Sequence, residues 1–309
     1  MHPVCDDMVC LQCHTQADAA LELVPARFHR PGLRRYAIRF RVPFGRRLGQ
    51  VGSVLCHLFD DKGPRLMEFP PIYILSLQGA QRFGPLAEAL EARGLSYEVF
   101  WGIDGREHLP EAHEHRVDRH GAEARMGRPM SDGEFACALS HRGIYERIAA
   151  GDAPSAIVLE DDADPSLPFF DLGPALVEPP CGLLLFDHKN TYVRVRDRLI
   201  LPGGVRAYRV ALPPFLATGY MVSREVAAHL AFRNGPVVQP SDWPDAILQF
   251  DSYACDPRVI TQRGRAVGTS SLEAGRRKHK HRRRKSLRRL LYKAYWRRWM
   301  TKRLARKLA

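Results

Sequence analysis

An apolar run that ends abruptly in acids is the feature that most constrains the fold of this chain. Residues 155–164 are Ser-Ala-Ile-Val-Leu-Glu-Asp-Asp-Ala-Asp. Four carboxylates, at positions 160, 161, 162 and 164, therefore come at the end of a short apolar stretch. Such a stretch is typical of a buried strand in a parallel sheet, and open α/β folds bind ligands beyond the carboxyl ends of these strands. Crowded carboxylates repel one another, and a hard divalent cation commonly stabilises them. The run predicts a metal site for a phosphate-bearing ligand, with a solvated acidic turn as the alternative.

Stretches of strand length alternate with helical patterns through the middle of the chain. Besides the acidic run, the predicted strands are 72–77, 96–101, 182–186 and 218–223, and the predicted helices are 80–93, 131–150 and 224–232. Ser131 and Glu134 have the spacing of a capping box at the start of the second helix. Residues 106–130 carry four histidines without regular periodicity, which favours a surface loop. The alternation predicts an α/β fold with a mostly parallel central sheet and helices on both faces.

Charge divides the chain into three parts. Residues 1–66 carry a net charge of +4, residues 67–275 carry −8, and residues 276–309 carry +17 with no acid. We therefore expect an N-terminal extension (1–66), an acidic globular domain (67–270) and a basic tail that contains aromatic residues (271–309). No apolar run has the length of a membrane span, and no secretory signal precedes residue 67, so a cytoplasmic location is expected.

The extension differs in character from the domain. It is rich in Arg and lacks sustained periodicity, and Met67 precedes the first predicted strand directly. One hypothesis is that Met67 is the natural start. Cys10, Cys13 and His14 match a haem-attachment pattern, but that attachment requires an exported protein and no export signal precedes the motif. The seven cysteines of the chain favour free thiols over a disulfide framework.

Several motifs occur in the order found in one enzyme family. They are Ile72-Tyr-Ile-Leu-Ser-Leu77, Arg82, Asp104-Gly105, Gly133-Glu134, Cys137-Ala-Leu-Ser-His141, Leu159-Glu-Asp-Asp162, Thr218-Gly-Tyr-Met-Val-Ser-Arg224, Ala227-Ala228 and Pro240-Ser-Asp-Trp243. Over about residues 70–250 the chain resembles glycosyltransferase family 25. It departs from the family at Ser76, Trp101 and Ala136, where Asn, a small residue and Gly are common.

The resemblance implies a nucleotide-sugar-binding fold of the GT-A type. It also implies transfer of galactose or a related sugar, with inversion, from a uridine diphosphate donor. The implied acceptor is a lipid-linked saccharide or an oligosaccharide, and lipooligosaccharide is the first candidate. Mn²⁺ or Mg²⁺ is the expected cofactor, since a carboxylate-held cation neutralises the leaving diphosphate.

Candidate residues follow from the motifs together with strand geometry. Glu160 and Asp162 are two positions apart, so on extended backbone they share a face and are assigned to the metal. Inversion requires a base, for which Asp242 is the candidate with Asp245 behind it. The candidate donor-binding residues are Arg82, Asp104, Ser140, His141 and Asp161. The structural alternatives are a cap for Asp161, a helix cap for Asp242, a buried core residue for His141 and a solvated helix position for Arg82.

The basic tail suggests a partner of its own. Residues 276–309 combine Lys and Arg with Leu, Tyr and Trp, a composition that favours an anionic membrane surface. We expect a peripheral enzyme at the inner face of the cytoplasmic membrane. Nucleic acid is disfavoured as a partner because the globular part is acidic. The alternative function is a non-catalytic adaptor that binds membrane or nucleic acid through the tail.

Overall fold

The computed structural model describes residues 20–25, 36–44, 47–56, 69–80, 82–232, 235–241, 243, 245–263 and 293–308. The chain divides into two compact units, residues 1–66 and 67–309. The described part of the first unit is an antiparallel meander of β1 (Ala20–Pro25), β2 (Tyr36–Phe44) and β3 (Arg47–Cys56). These strands were not expected, because residues 1–66 lack sustained periodicity. The hypothesis that Met67 is the natural start stays a prediction.

Within the described residues of the second unit, nine strands form one mixed sheet. They are β4 (Ile72–Ser76), β5 (Glu98–Trp101), β6 (Ser155–Glu160), β8 (Leu183–Leu185), β9 (Tyr192–Ile200), β10 (Arg206–Leu212), β11 (Gly219–Ser223), β12 (Ser252–Asp256) and β14 (Arg306–Lys307). A separate ladder pairs β7 (Ala163–Pro165) with β13 (Ile260–Gln262).

The strand order is β14-β9-β10-β12-β8-β11-β6-β4-β5. The pairs β4–β5, β4–β6 and β8–β12 are parallel, and the other pairs are antiparallel. The predicted α/β class is confirmed. The sheet is parallel around β4 and mixed beyond β6, because β11 runs antiparallel to both of its neighbours.

Helices cover both faces of this sheet, as predicted. The described helices are α1 (Gly84–Glu91), α2 (Arg119–Met126), α3 (Asp132–Ala149), α4 (Leu167–Leu176), α5 (Arg224–Phe232) and α6 (Lys293–Leu304). Alternate residues of β6 serve the two cores: Val158 packs with α3 and α5, whereas Ile157 packs with α1 and α4.

The histidine-bearing segment 106–130 is not a simple loop, so that expectation was wrong. It forms a 3₁₀ helix, Glu111–Arg116, and then α2. The carboxylate of Asp118 accepts a hydrogen bond from the amide of Gly121, and Gly127 ends the helix at a φ of 66°. A side-chain cap and a left-handed glycine stabilise a short helix whose apolar periodicity is weak.

Part of the predicted basic tail belongs to the sheet. Strand β14 pairs with β9 at the sheet edge, the Leu308 amide donates to the carbonyl of Thr191 at 2.9 Å, and Leu308 is buried. Residues 287–291, which contain three of the Leu residues of the tail, lie outside the described residues. No helix in the described ranges is both long and apolar enough to cross a bilayer.

Candidate functional site

The acidic turn lies at the carboxyl end of β6, between β4 and β11. The strand ends at Glu160, and Asp161 and Asp162 form a turn before β7 begins. The extended backbone assumed for Glu160 and Asp162 therefore does not continue through both residues. The three carboxylates spread into different surroundings instead of alternating across one strand.

Arg82 is the cation that faces the turn. Its Nη2 lies 3.0 Å from Oδ2 of Asp162 and 3.8 Å from Oδ1 of Asp161, and the hydroxyl of Ser76 donates to Asp161 at 3.3 Å. The Arg82 side chain is 52% exposed, so the guanidinium contacts the turn from the solvent side. Ser76 is the last residue of β4 and lies at the same edge, so this position, where the family commonly has Asn, contacts a carboxylate here.

Burial and like charge make the turn electrostatically costly. Burial, with the nearby Glu160 carboxylate, raises the pKa of Asp162 to about 7 against the opposing effect of Arg82. Burial likewise raises the pKa of Asp161. Oδ1 of Asp162 is buried and has no hydrogen-bond partner among the described residues. A carboxylate oxygen in this state fits a cation ligand.

Glu160 faces helix α3. Its Oε1 lies 3.2 Å from Nε2 of His141, and Nδ1 of the same ring lies 3.0 Å from the hydroxyl of Tyr220. Burial lowers the pKa of His141, but hydrogen bonds with Cys137 and Glu160 outweigh burial and raise the pKa to about 10. His141 is thus a buried residue, as the structural alternative held, and it contacts a predicted metal ligand directly.

Cys137 lies one helical turn before His141. Oxygen, nitrogen and sulfur atoms of Glu160, His141 and Cys137 all lie within 4.8 Å of one another. Sγ of Cys137 also lies 3.3 Å from the hydroxyl of Ser241. The contact brings Ser241, the residue before Asp242 in the sequence, to the side of α3.

The two candidate bases are described incompletely. Asp242 lies outside the described residues, and Asp245 begins the 3₁₀ helix Asp245–Gln249 without a described side chain. Between them, Trp243 is buried, donates from Nε1 to the carbonyl of Leu216 at 2.8 Å, and packs edge-on against Tyr220. Trp243 is therefore a core residue in this structure.

Two predicted donor contacts have hydrogen-bond partners other than the three carboxylates of the turn. The Ser140 hydroxyl is buried, accepts from the amide of Ile103 at 2.8 Å and donates to the carbonyl of Ala136 at 2.7 Å. Asp104 is exposed and pairs with Arg106, whose hydrogen bonds lower the pKa of that carboxyl. Ser140 fixes α3 to the loop after β5, while Asp104 stays at the surface of that loop.

The same sheet edge carries polar residues that were not selected from the sequence. The carbonyl of Thr218 accepts from the Glu160 amide at 2.8 Å, and the Asp187 amide donates to the Gly219 carbonyl at 3.2 Å. The buried Asp187 carboxylate pairs with Arg258 at 3.2 Å. Asp187 follows an apolar run, as the acidic turn does, and that signal was available in the sequence. Arg258 gave no signal, since 71 residues separate the pair.

A cavity of about 480 Å³ lies elsewhere on the second unit. Its lining comes from residues 69–73 and 94–98, where β4 and β5 begin. The carboxylates lie at the other end of these strands, because Glu160 pairs with Leu75 near the end of β4. The cavity is therefore separate from the acidic turn.

Comparison with known proteins connects this edge to a family. Residues 69–176 match the model of glycosyltransferase family 25, described as an LPS biosynthesis protein. No curated protein matches the chain. The matched segment extends from the approach to β4 to the end of α4, and it contains Arg82, the Cys137–His141 motif and the acidic turn. The match confirms the resemblance for the motifs that lie within residues 69–176 and supports an enzyme that transfers a sugar. The motifs between residues 218 and 243 lie beyond the matched segment.

Proposed function

We propose that this protein transfers a sugar from a uridine diphosphate donor to a saccharide of lipooligosaccharide, and galactose is the first candidate for that sugar. The transfer inverts the anomeric configuration and uses a divalent cation. The match over residues 69–176 supports transfer in lipopolysaccharide biosynthesis. The observation that carries the finer proposal is the acidic turn, where the buried Oδ1 of Asp162 has no partner among the described residues.

The carboxylates fit a cation in charge and in chemistry. Glu160 and Asp162 would hold Mn²⁺ or Mg²⁺, with Asp161 beside them, and oxygen ligands suit either ion. When bound, the cation would neutralise negative charge on the diphosphate as the sugar leaves. Arg82 is half exposed at the same turn, so its guanidinium can donate further hydrogen bonds to an anionic donor.

The acceptor needs a base at the same edge. Asp242 is our candidate, with Asp245 as the second, because an inverting transfer requires a carboxylate to take the proton of the acceptor hydroxyl. The contact between Ser241 and Cys137 supports this assignment, since it places Ser241, the residue that precedes Asp242 in the sequence, beside α3. Replacing Asp242 by Asn should abolish transfer but preserve donor binding, whereas replacing a purely structural cap would lower stability instead.

The direct experiment is a donor screen with the full chain. Uridine diphosphate release is measured with several nucleotide sugars, Mn²⁺ and a lipooligosaccharide acceptor, and a chelator should stop it. The anomeric configuration of the product, read by NMR, tests inversion. The absence of turnover with every donor would contradict the proposal.

We also assign the protein a peripheral position on an anionic membrane at the cytoplasmic face. Helix α6 exposes Trp296, Trp299, Met300 and Leu304, with exposed fractions of 47%, 37%, 47% and 81%. Their spacing places them on one side of the helix. The helix has no acid, and Arg303 stacks over Trp299 at 4.4 Å. An apolar stripe among bases is typical of interfacial helices.

The alternative adaptor function uses the same helix without catalysis. It is distinguished from the transferase by the donor screen, since an adaptor binds vesicles or nucleic acid but turns over no donor. Nucleic acid fits the stripe less well than lipid, because Met300 and Leu304 offer no flat ring for stacking with bases.

A further inference from the structure

Three different ligand types converge at the inner wall of the candidate site. Cys137 and His141 lie one turn apart on α3, so their side chains leave the same face of the helix. Glu160 reaches them from the end of β6. Sγ of Cys137, a ring nitrogen of His141 and a carboxylate oxygen of Glu160 lie within 4.8 Å of one another.

The hydrogen bonds around His141 orient its ring. The hydroxyl of Tyr220 donates to Tyr145 at 3.3 Å, so its oxygen is left to accept from Nδ1–H of His141 at 3.0 Å. In that arrangement Nε2 faces Glu160, and it presents a lone pair to that carboxylate whenever Nε2 carries no proton. A buried partner that fixes the ring and tautomer is the usual second shell of a metal-binding histidine.

A proton or a metal cation is required between Nε2 and Glu160. Nε2 and Oε1 are 3.2 Å apart, and a lone pair facing a carboxylate at that distance is repulsive unless a proton or a cation lies between them. Two ligands on a tetrahedral cation, each about 2.0–2.1 Å from it, are separated by roughly this distance. The geometry accommodates either a proton or a metal ion.

Ligand chemistry selects the class of metal. Thiolate and imidazole favour borderline cations such as Zn²⁺ and Co²⁺, whereas Mg²⁺ and Ca²⁺ favour oxygen ligands. Three protein ligands leave one position of a tetrahedral site open. The Glu160 side chain is partly exposed, so the open position faces the crevice.

We propose that Cys137, His141 and Glu160 bind a thiophilic divalent cation, Zn²⁺ in the first instance, held in orientation by Tyr220. The inference deepens the proposed function, because Glu160 belongs to both sites. It predicts a second metal position in this crevice, at which the cation has a sulfur ligand. Binding itself does not depend on sugar transfer.

Cobalt binding to the full chain tests this site. The four cysteines of residues 1–66 are first replaced by Ser, so that Cys137, Cys181 and Cys255 are the remaining thiols. Co²⁺ should then give visible bands of a tetrahedral site and a near-ultraviolet thiolate band, and Zn²⁺ should displace it. Cys137→Ser should remove the thiolate band. Cys181→Ser, a buried cysteine outside the cluster, should keep it.

A second variant separates a binding role from a folding role. Tyr220→Phe should weaken Co²⁺ binding by about 10–100-fold while keeping the thiolate band at saturation, because it removes only the ring's partner. Circular dichroism of each variant checks that it is folded. A missing thiolate band in the parent protein, or a band unchanged by Cys137→Ser, would overturn the inference.

The two proposals can fail separately. Cobalt binding without turnover of any donor would remove the transferase and leave this site. Turnover with Mn²⁺ in the absence of a thiolate band would remove this site and leave the transferase.

Discussion

Asp162 and Asp164 are two positions apart and have very different surroundings. Asp162 is mostly buried, lies 3.0 Å from Arg82, and has a pKa that burial raises to about 7. Asp164 is exposed and pairs with Arg263 at the surface. A surface pair contributes little, about 0–1 kcal/mol, whereas a crowded carboxylate is kept only where something binds it.

The first prediction compares these two carboxylates. Asp162→Asn keeps the shape of the side chain but removes its charge, so kcat/KM for the donor should fall by about 100-fold at saturating Mn²⁺. Asp164→Asn should leave it within about twofold. Steady-state kinetics and calorimetric titration of the donor provide the measurements. Equal effects of the two substitutions would contradict a metal role for Asp162.

Part of the candidate site could be predicted because its residues adjoin clear local patterns. Glu160 ends an apolar strand and His141 belongs to a recognisable motif, so both were selected independently. Their contact could not be predicted, since it depends on how α3 crosses β6. The turn after Glu160 was also missed, because apolar periodicity does not reveal where a strand ends among polar residues.

Helix α3 shows which elements a sequence determines well. Ser131 and Glu134 form the predicted capping box, with the Ser131 hydroxyl accepting from the Glu134 amide at 3.3 Å. The helix begins at Asp132 and ends at Ala149, within one residue of the predicted 131–150. Local hydrogen bonds set this boundary. By contrast, the parallel pairing of β8 with β12 joins residues about 70 positions apart, and no local pattern specifies it.

The second prediction concerns the first turn of α3. Asp132 accepts from Arg119 at 2.7 Å and from the Leu109 amide at 3.0 Å. Burial raises the pKa of Asp132, but these hydrogen bonds outweigh burial and lower it. His108 adds to the lowering, while Glu114 competes for Arg119. A carboxylate at this position also interacts favourably with the helix N-terminus.

Asp132→Asn should therefore lower the free energy of unfolding by about 1–2 kcal/mol at pH 7. A lowered folded-state pKa stabilises the fold above the ordinary Asp pKa, and that contribution is lost as pH falls through the folded value. The difference between wild type and variant should shrink below about pH 4. Urea unfolding at several pH values measures it, and a difference that grows on acidification would contradict the assignment.

At the scale of the whole molecule, the described C-terminal residues contribute an edge strand to the sheet and an exposed helix to the surface. Strand β14 lies at the sheet edge, and Leu308 is buried in the same hydrophobic core that includes residues of α3 and α5. Lys302 stacks over Tyr192 and Arg306 pairs with Asp256 at 3.0 Å. Removing residues 276–309 would therefore strip an edge strand and expose core, so a deletion cannot separate membrane binding from stability. Point substitutions on the exposed side of α6 can.

The third prediction uses those substitutions. Trp296, Trp299 and Leu304 lie on the exposed side of α6, and replacing all three by Ser removes apolar area while every base stays. Bases near an anionic surface contribute about 1 kcal/mol each, so binding should weaken by about tenfold or more without vanishing, and raised salt should then release the variant. Co-flotation with vesicles of phosphatidylglycerol and phosphatidylcholine measures the effect.

Ile200→Ser is the matched control, because Ile200 is 69% exposed on β9 and lies outside the helix. Its vesicle binding should equal that of wild type, and both variants should retain uridine diphosphate release with a soluble acceptor. The bases alone attract any polyanion, and that ionic binding weakens as the salt concentration rises. Binding by an apolar stripe inserted into lipid persists at high salt, so the salt dependence distinguishes the two kinds of contact. Equal flotation of wild type and the triple variant at high salt, or tighter binding to an oligonucleotide than to vesicles, would contradict a membrane role for α6.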